Sequence, residues 1–412
     1  LISTRYRYDT GMDQLTIVVW LRTLQGYMKQ DDSKKPQRFK ECILCGRCLE
    51  VCPLFDATGY EELSPRAKAF LVQSFLKHES GFTFEAIRRF SSLCLQCERC
   101  VSVCPQGIDL PGILAEVKAL SLDWHSWVWG KLIKALPWMY PVLGQWSETI
   151  PGMVPEIIRK HIDLFKRCVQ IHPWIRIDWE QAPKFDIKAV VFPGCISRCG
   201  KRLWETKAES LLQKLGLRLH PRVEWMCCGF TLGMAGLKKE QDKVCHYNLN
   251  RWREEGRPSV IIFCETCFYF LQKYIDYDLD WEQGEREEWQ QSLIPLSFFL
   301  QQLHLTFTEQ RPSQGLVLHQ SCHSHNNLWE WLLKSKDQLD FPVKSYDACC
   351  GLGGSMQLEC FEYTRLVGWR FWNYLEHECS QLLSGCSGCV IQLSRYRPEH
   401  VSVGHWLEIL DL

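Results

Sequence analysis

The chain lacks any excess of charge: 48 Lys+Arg stand against 48 Asp+Glu, a formal net charge of zero. Such a balance gives no basic footprint, so nucleic acid is not an expected partner. Long hydrophobic runs are also missing. Near the start, Leu15 to Leu21 is interrupted by Thr16 and followed by Arg22, which is too short to span a bilayer. Residues 1–15 hold no apolar stretch after a basic start, so no secretory signal is expected. At 412 residues the chain is too long for one hydrophobic core and sufficient for two or three domains.

Cysteine is what the chain has in abundance, with 23 residues in clusters. A disulfide scaffold suits short secreted chains that cannot build a core, which this one can. Thiolates used as metal ligands in a reducing, cytoplasmic compartment are the expected alternative.

Cys42, Cys45, Cys48 and Cys52 follow C-x2-C-x2-C-x3-C with Pro53 next; Cys94, Cys97, Cys100 and Cys104 repeat it, followed by Pro105. Three cysteines on a tight loop each present a sulfur to one [4Fe–4S] cube, and the fourth, turned away at proline, reaches the neighbouring cube. One cubane cluster is therefore assigned to Cys42, Cys45, Cys48 and Cys104, the other to Cys94, Cys97, Cys100 and Cys52. Structural zinc also uses Cys-x-x-Cys pairs, but leaves both Cys-Pro steps and the duplication unexplained. Between the loops, Ser64-Pro65 opens a helix over 66–73 with a cap and a first-turn proline, and a second helix is expected from Phe84 to Phe90.

Residues 111–187 carry no motif cysteine but seven of the 18 tryptophans; Trp124, Trp127, Trp129, Trp138 and Trp146 crowd a stretch broken by Pro137, Pro141 and Pro151. Two readings stand: an aromatic surface for a membrane-embedded partner or the lipid interface, or helices packing the first module against the next domain. Asp178 to Lys184 is expected to be a linker.

From Lys188 the chain repeats itself. The run 188–192 leads to Cys195, followed by Cys227-Cys228-Gly229, then by the strand 260–263 and Cys264-x-x-Cys267. The second copy has the strand 316–319 before Cys322, then Cys349-Cys350-Gly351 and Cys386-x-x-Cys389, at offsets of 127, 122 and 122 residues. Helices are expected at 203–215 and 268–277. Strand, ligand-bearing turn and helix in alternation predict α/β layers on parallel sheets, with ligands beyond the C-terminal ends of the strands. Five cysteines per copy exceed what one zinc needs, and an adjacent Cys-Cys pair favours a polynuclear centre with bridging thiolates.

The doubled C-x(n)-C-C-G-x(n)-C-x-x-C pattern resembles the cysteine-rich (CCG) domain of the B-type component of heterodisulfide reductase, and the preceding module resembles the C-type component. Fused in one chain, they resemble the D-type component of the membrane-linked enzyme. The resemblance implies two non-cubane [4Fe–4S] clusters, one on Cys195, Cys227, Cys228, Cys264 and Cys267, the other on Cys322, Cys349, Cys350, Cys386 and Cys389. In that family each such cluster cleaves a disulfide homolytically, one electron per cluster. The iron–sulfur subunits of glycolate, lactate and anaerobic glycerol-3-phosphate dehydrogenases are similar in architecture, and the ending Val401-Ser402-Val403-Gly404-His405-Trp406-Leu407-Glu408-Ile409 looks like theirs. Those often lack part of the five-cysteine sets; here both are complete, which favours the disulfide-reductase type.

The expected fold is α+β multidomain: an α-helical ferredoxin-like two-cluster module at 13–110, a helical Trp-rich connector at 111–187, and duplicated α/β CCG domains at 188–312 and 313–412. The expected activity is disulfide reduction, on a small-molecule or protein disulfide, in an anaerobic respiratory complex. A pure relay from a flavoprotein to quinone is the alternative. No flavin or nucleotide fingerprint appears, so a flavoprotein or a membrane cytochrome b-type, quinone-reactive subunit is the expected partner. Through that partner the chain would sit on the cytoplasmic face of a membrane. His319, His323 and His325 surround Cys322; His323 is the candidate proton donor to a cleaved disulfide. Cys168, Cys199, Cys245, Cys360 and Cys379 lie outside the motifs and are expected as small buried side chains, Cys199 nearest a cluster.

Overall fold

The computed structural model describes residues 40–77, 83–120, 122–135, 171–220, 223–312, 314–325, 327–375 and 379–412. Leu15 to Leu21, Pro137, Trp138, Pro141, Trp146, Pro151 and Cys168 lie outside these residues. Two compact units are present. The first comprises Leu1–Gly130, Thr231–Lys238 and Gly353–Thr364; the second comprises Lys131–Phe230, Lys239–Leu352 and Arg365–Leu412.

Short ligand loops and helices make up the first unit. Helix α1 (Pro65–Leu76) begins where sequence signals place it: the Ser64 hydroxyl accepts from the Ala67 N–H at 3.1 Å, and Pro65 occupies the first turn, where no donor is needed. Thr83 caps α2 (Phe84–Ser92) in the same way, accepting from Ala86 N at 3.3 Å. These helices and α3 (Leu110–Leu120) bury Val72, Leu76, Ile87, Leu114 and Val117 against one another. Each such side chain contributes about 1.5–3 kcal/mol relative to exposure.

In the second unit the duplication is explicit. Strands β2 (Lys188–Phe192), β3 (Arg218–Leu219), β4 (Ser259–Ile262) and β5 (Leu293–Pro295) form one parallel sheet in the order β3-β2-β4-β5. Strands β7 (Leu316–Gln320), β8 (Val343–Asp347), β9 (Gln381–Ser384) and β10 (Ser402–His405) repeat the arrangement as β8-β7-β9-β10. The burial of Val190, Phe192, Val260, Ile261, Val317 and Leu318 is that of strands covered on both faces. One hydrophobic core runs through both copies, with Trp204, Leu211 and Ile261 from the first and Leu318, Trp331 and Leu383 from the second.

Segments outside the two four-stranded sheets form a third sheet. β1 (Ile175–Ile177) lies between β6 (Leu305–Phe307), antiparallel to it, and β11 (Leu410–Asp411), parallel to it. This part of the connector was expected to be helical. Ile175 and Ile177 are buried on either side of exposed Arg176, a period of two, and Trp174 before them is fully buried. The expected linker is also tied down, with Asp178 N donating to His304 O at 3.0 Å. Trp124 and Trp127, on a helical stretch at 124–135, are exposed, whereas Trp129 donates Nε1–H to Thr231 O at 3.2 Å. Among the described residues no helix is long and apolar enough to cross a membrane.

Candidate iron–sulfur sites

The two C-x2-C-x2-C loops are built alike, 52 residues apart. Leu44 and Gly46 in the first have φ of 56° and 81°; Gln96 and Glu98, their counterparts, have φ of 57° and 57°. These paired left-handed turns curl each loop. For non-glycine residues they cost roughly 1–2 kcal/mol apiece, a strain held by the surroundings. Gln73 of α1 clamps the first loop, accepting from Cys42 N and donating to Lys40 O, both at 3.1 Å.

One hollow is lined by Cys52, Cys94, Cys97 and Cys100, together with Lys68, Glu98 and apolar residues. The other is lined by Cys42, Cys45, Cys48 and Cys104, with Arg47 and Arg66. Each thus gathers three sulfurs of one loop and the last cysteine of the other. Four soft sulfur donors per hollow suit an iron–sulfur cube. Burial, and then the nearby Cys42 thiolate, push the Cys48 thiol up to about 11; burial also raises Cys52 and Cys100. A metal centre must displace these protons to bind.

In the second unit every cysteine motif sits past the C-terminal end of a strand: Cys195 after β2, Cys264 after β4, Cys322 after β7 and Cys386 after β9. β2 and β4 are neighbours whose onward connections run to opposite sides of the sheet, as are β7 and β9. The crevice at such a switch point is where open parallel sheets hold ligands. After α4 (Gly194–Gly200), α5 (Arg202–Lys214) and α6 (Lys238–Glu254), Cys264 and Cys386 occupy the N-cap positions of α7 (Glu265–Gln272) and α8 (Ser387–Tyr396), without a side-chain capping bond. The helix expected over 268–277 therefore starts at the motif itself and ends as a 3-10 turn, Lys273–Asp276.

Eight of the ten expected ligands are neighbours in a series, each shifting the pKa of another: Cys195, Cys227, Cys228, Cys267, Cys264, Cys386, Cys389 and Cys350. Thiol donors Cys195 and Cys228 lower the Cys227 pKa, and Cys267 and Cys386 lower that of Cys264; the donors are correspondingly raised. Among the described residues no three His, Cys, Asp or Glu side chains form a single-metal site. A polynuclear centre fits the donor set better than tetrahedral zinc. Gly194, at φ +73°, provides room: a Cβ there would lie 3.1 Å from Cys267 Sγ. No disulfide joins any of the described cysteines.

The two Cys-x-x-Cys turns interlock. Glu265 N donates to Gly385 O at 2.9 Å, and Thr266 Oγ1 lies 3.1 Å from Cys386 Sγ. Sequence patterns present the copies as separate and give no sign of Glu265 or Thr266, since no short motif marks a junction 120 residues apart. Cys199 is buried, its thiol raised to about 11 by burial, with Cys227 among its neighbours.

Of the three histidines, His319 is fully buried between Ser384 Oγ (3.0 Å) and Ala348 O (2.9 Å), a structural role. His325 pairs with Ser297 Oγ at 3.1 Å. His323 stacks on Tyr269 (centroids 4.7 Å) and meets the edge of Phe230 (4.8 Å), while its buried Nε2 has no hydrogen-bond partner among the described residues. The terminal motif is a latch. The buried Glu408 carboxylate accepts from His405 N (3.0 Å), Trp204 Nε1 (2.8 Å) and Ile171 N (3.4 Å).

Residues 38–108 match the 4Fe-4S dicluster domain family, and residues 189–272 and 316–394 each match the Cysteine-rich domain (CCG) family. The chain thus carries one 4Fe-4S dicluster domain and two cysteine-rich CCG domains. It is 22% identical to the probable glycolate oxidase iron-sulfur subunit of Bacillus subtilis, covering 90% of this chain and 93% of the relative. It is 23% identical to the D-type component of the dihydromethanophenazine:CoB--CoM heterodisulfide reductase of Methanosarcina barkeri, covering 86% and 88%. The glycolate oxidase iron-sulfur subunit of Escherichia coli is 20% identical, covering 90% and 93%. Both expected resemblances are borne out, and the chain is an iron–sulfur electron-transfer subunit related to oxidoreductases of both kinds.

Proposed function

We propose that the chain holds two cubane and two non-cubane [4Fe–4S] clusters, and that its cysteine-rich unit performs disulfide/thiol chemistry of the heterodisulfide reductase type. The complex would be an anaerobic respiratory or energy-conserving one, and the disulfide a small molecule or a protein. The observation that carries this reading is the burial of Cys228, Cys264, Cys267, Cys350, Cys386 and Cys389 where the two Cys-x-x-Cys turns interlock, with both five-cysteine sets intact. Bound clusters supply one-electron redox capacity. The chain's own residues hold them, exclude water from Cys228, Cys264, Cys267, Cys350, Cys386 and Cys389, and place a proton source. His323 supports that last role: it follows Cys322 in the chain, its ring packs on Tyr269 and Phe230, and its Nε2 has no hydrogen-bond partner among the described residues.

Iron and acid-labile sulfide analysis of anaerobically purified protein tests the cluster content: about 16 irons are expected for four clusters. A value near eight would remove the clusters of the cysteine-rich unit. Adding a disulfide to the reduced protein should generate a new paramagnetic signal, and His323→Ala should slow disulfide turnover; full turnover across pH in that variant refutes the proton-donor role.

A relay role is the second reading, favoured by two glycolate oxidase relatives that match over 93% of their length. Under it, a flavoprotein would transform a 2-hydroxy acid and this chain would pass the electrons to quinone, through a membrane cytochrome b-type partner on the cytoplasmic face. Turnover that requires the flavoprotein and its 2-hydroxy acid, with no response to any disulfide, would decide for it.

A further inference from the structure

Lys68 is a cation with almost no access to solvent: 3% of its surface is exposed. Its ammonium donates to Leu63 O, and no carboxylate among the described residues pairs with it. A buried, unpaired ammonium is unfavourable unless something nearby carries negative charge. What lies nearby is the hollow formed by Cys52, Cys94, Cys97 and Cys100, which Lys68 lines. Two residues earlier on α1, Arg66 lines the other hollow. Its setting differs: the side chain is 32% exposed, and Glu61 accepts from Arg66 Nε at 2.9 Å and Nη2 at 2.6 Å. One helix therefore brings a cation to each hollow, but only one of the two charges is both buried and uncompensated.

We infer that Lys68 is the built-in counter-charge of the cluster held by Cys52, Cys94, Cys97 and Cys100, and that it sets that cluster's reduction potential above its neighbour's. This rests on the two-cube reading above. Reduction adds negative charge to a centre that four thiolates already make anionic, and a fixed cation in a low-dielectric site stabilises the reduced form. Solvent and Glu61 screen the same effect from Arg66. Burial pulls the Lys68 pKa down, and the charges of Cys94, Cys52, Cys100 and Cys97 oppose that pull.

The test is a redox titration followed by electron paramagnetic resonance on the full chain, comparing wild type with Lys68→Gln, Lys68→Arg and Arg66→Gln. Lys68→Gln should shift one cube's reduction equilibrium at least tenfold toward the oxidised form, about 59 mV for one electron. The second cube should not move. Lys68→Arg, which keeps the charge, should stay within twofold of wild type, and Arg66→Gln should shift its cube less than Lys68→Gln does. Unmoved potentials in Lys68→Gln with full iron content would overturn the inference. If Lys68→Gln loses the cube while Lys68→Arg keeps it at the wild-type potential, the counter-charge role stands. Loss in both assigns the residue to shape and overturns it. Wild-type protein without two cube signals would instead defeat the two-cube reading.

Discussion

Replacing Gly194 by alanine separates two effects that the structure keeps distinct. Gly194 has φ +73°, so any side chain there meets the left-handed penalty of about 1–2 kcal/mol. The new methyl would also lie 3.1 Å from Cys267 Sγ, inside ordinary contact distance. A free thiol can swing aside by a few tenths of an ångström, but one bonded to iron cannot. The second term, about 1–3 kcal/mol for overpacking, should therefore fall on the cluster-loaded state. Gly256→Ala is the control. Its φ is +80°, and nothing lies within 4 Å of the added methyl, so it carries the backbone term alone. Stripped of iron, the two variants should melt alike. After anaerobic reconstitution, Gly194→Ala should retain about 12 of about 16 irons, having lost one cluster, while Gly256→Ala retains all. Full iron in Gly194→Ala, with a melting temperature matching Gly256→Ala in the loaded state, would refute Cys267 as a ligand packed against this glycine.

Glu408→Ala leaves three buried N–H groups without an acceptor and should destabilise the second unit by about 3 kcal/mol or more, with Glu408→Gln less affected. Urea unfolding of the iron-free chain measures this, and a change under about 1 kcal/mol would show that the latch is incidental. Cys52→Ser should alter the spectrum of the cube shared with Cys94, Cys97 and Cys100, and Cys104→Ser that of the other. The reverse pattern would mean that each loop keeps its own fourth ligand.

What could be read from the sequence was local. The cysteine loops are C-x2-C repeats whose ligands lie within eleven residues. The strands at 188–192 and 316–320 follow from β-branched and aliphatic runs, and Ser64 and Thr83 announce the helices they cap. The junction between the copies could not be read, because the Glu265–Gly385 bond joins residues with no shared motif. The start of α7 was misplaced because a cysteine that makes no capping bond stands at its N-cap position, where Ser, Thr, Asp or Asn is the usual signal. Lys68 also carried no warning, since on an amphipathic helix a lysine normally faces water. Only its burial beside four cysteines gives it meaning.

The pairing of Ile175 with Leu410 has a consequence for synthesis. About 235 residues separate the two strands, and a ribosome adding roughly 5–20 residues per second takes on the order of 10–50 s to cover that distance. Through that interval β1 has no parallel partner, and the Glu408 latch does not yet exist. The first copy's five cysteines are all translated before the second copy's Cys386 arrives to meet Cys264. Newly made chain thus passes through a period when its thiols are open to oxygen and to stray metal. Delivery of iron must either wait for residues 401–412 or be guarded until they come.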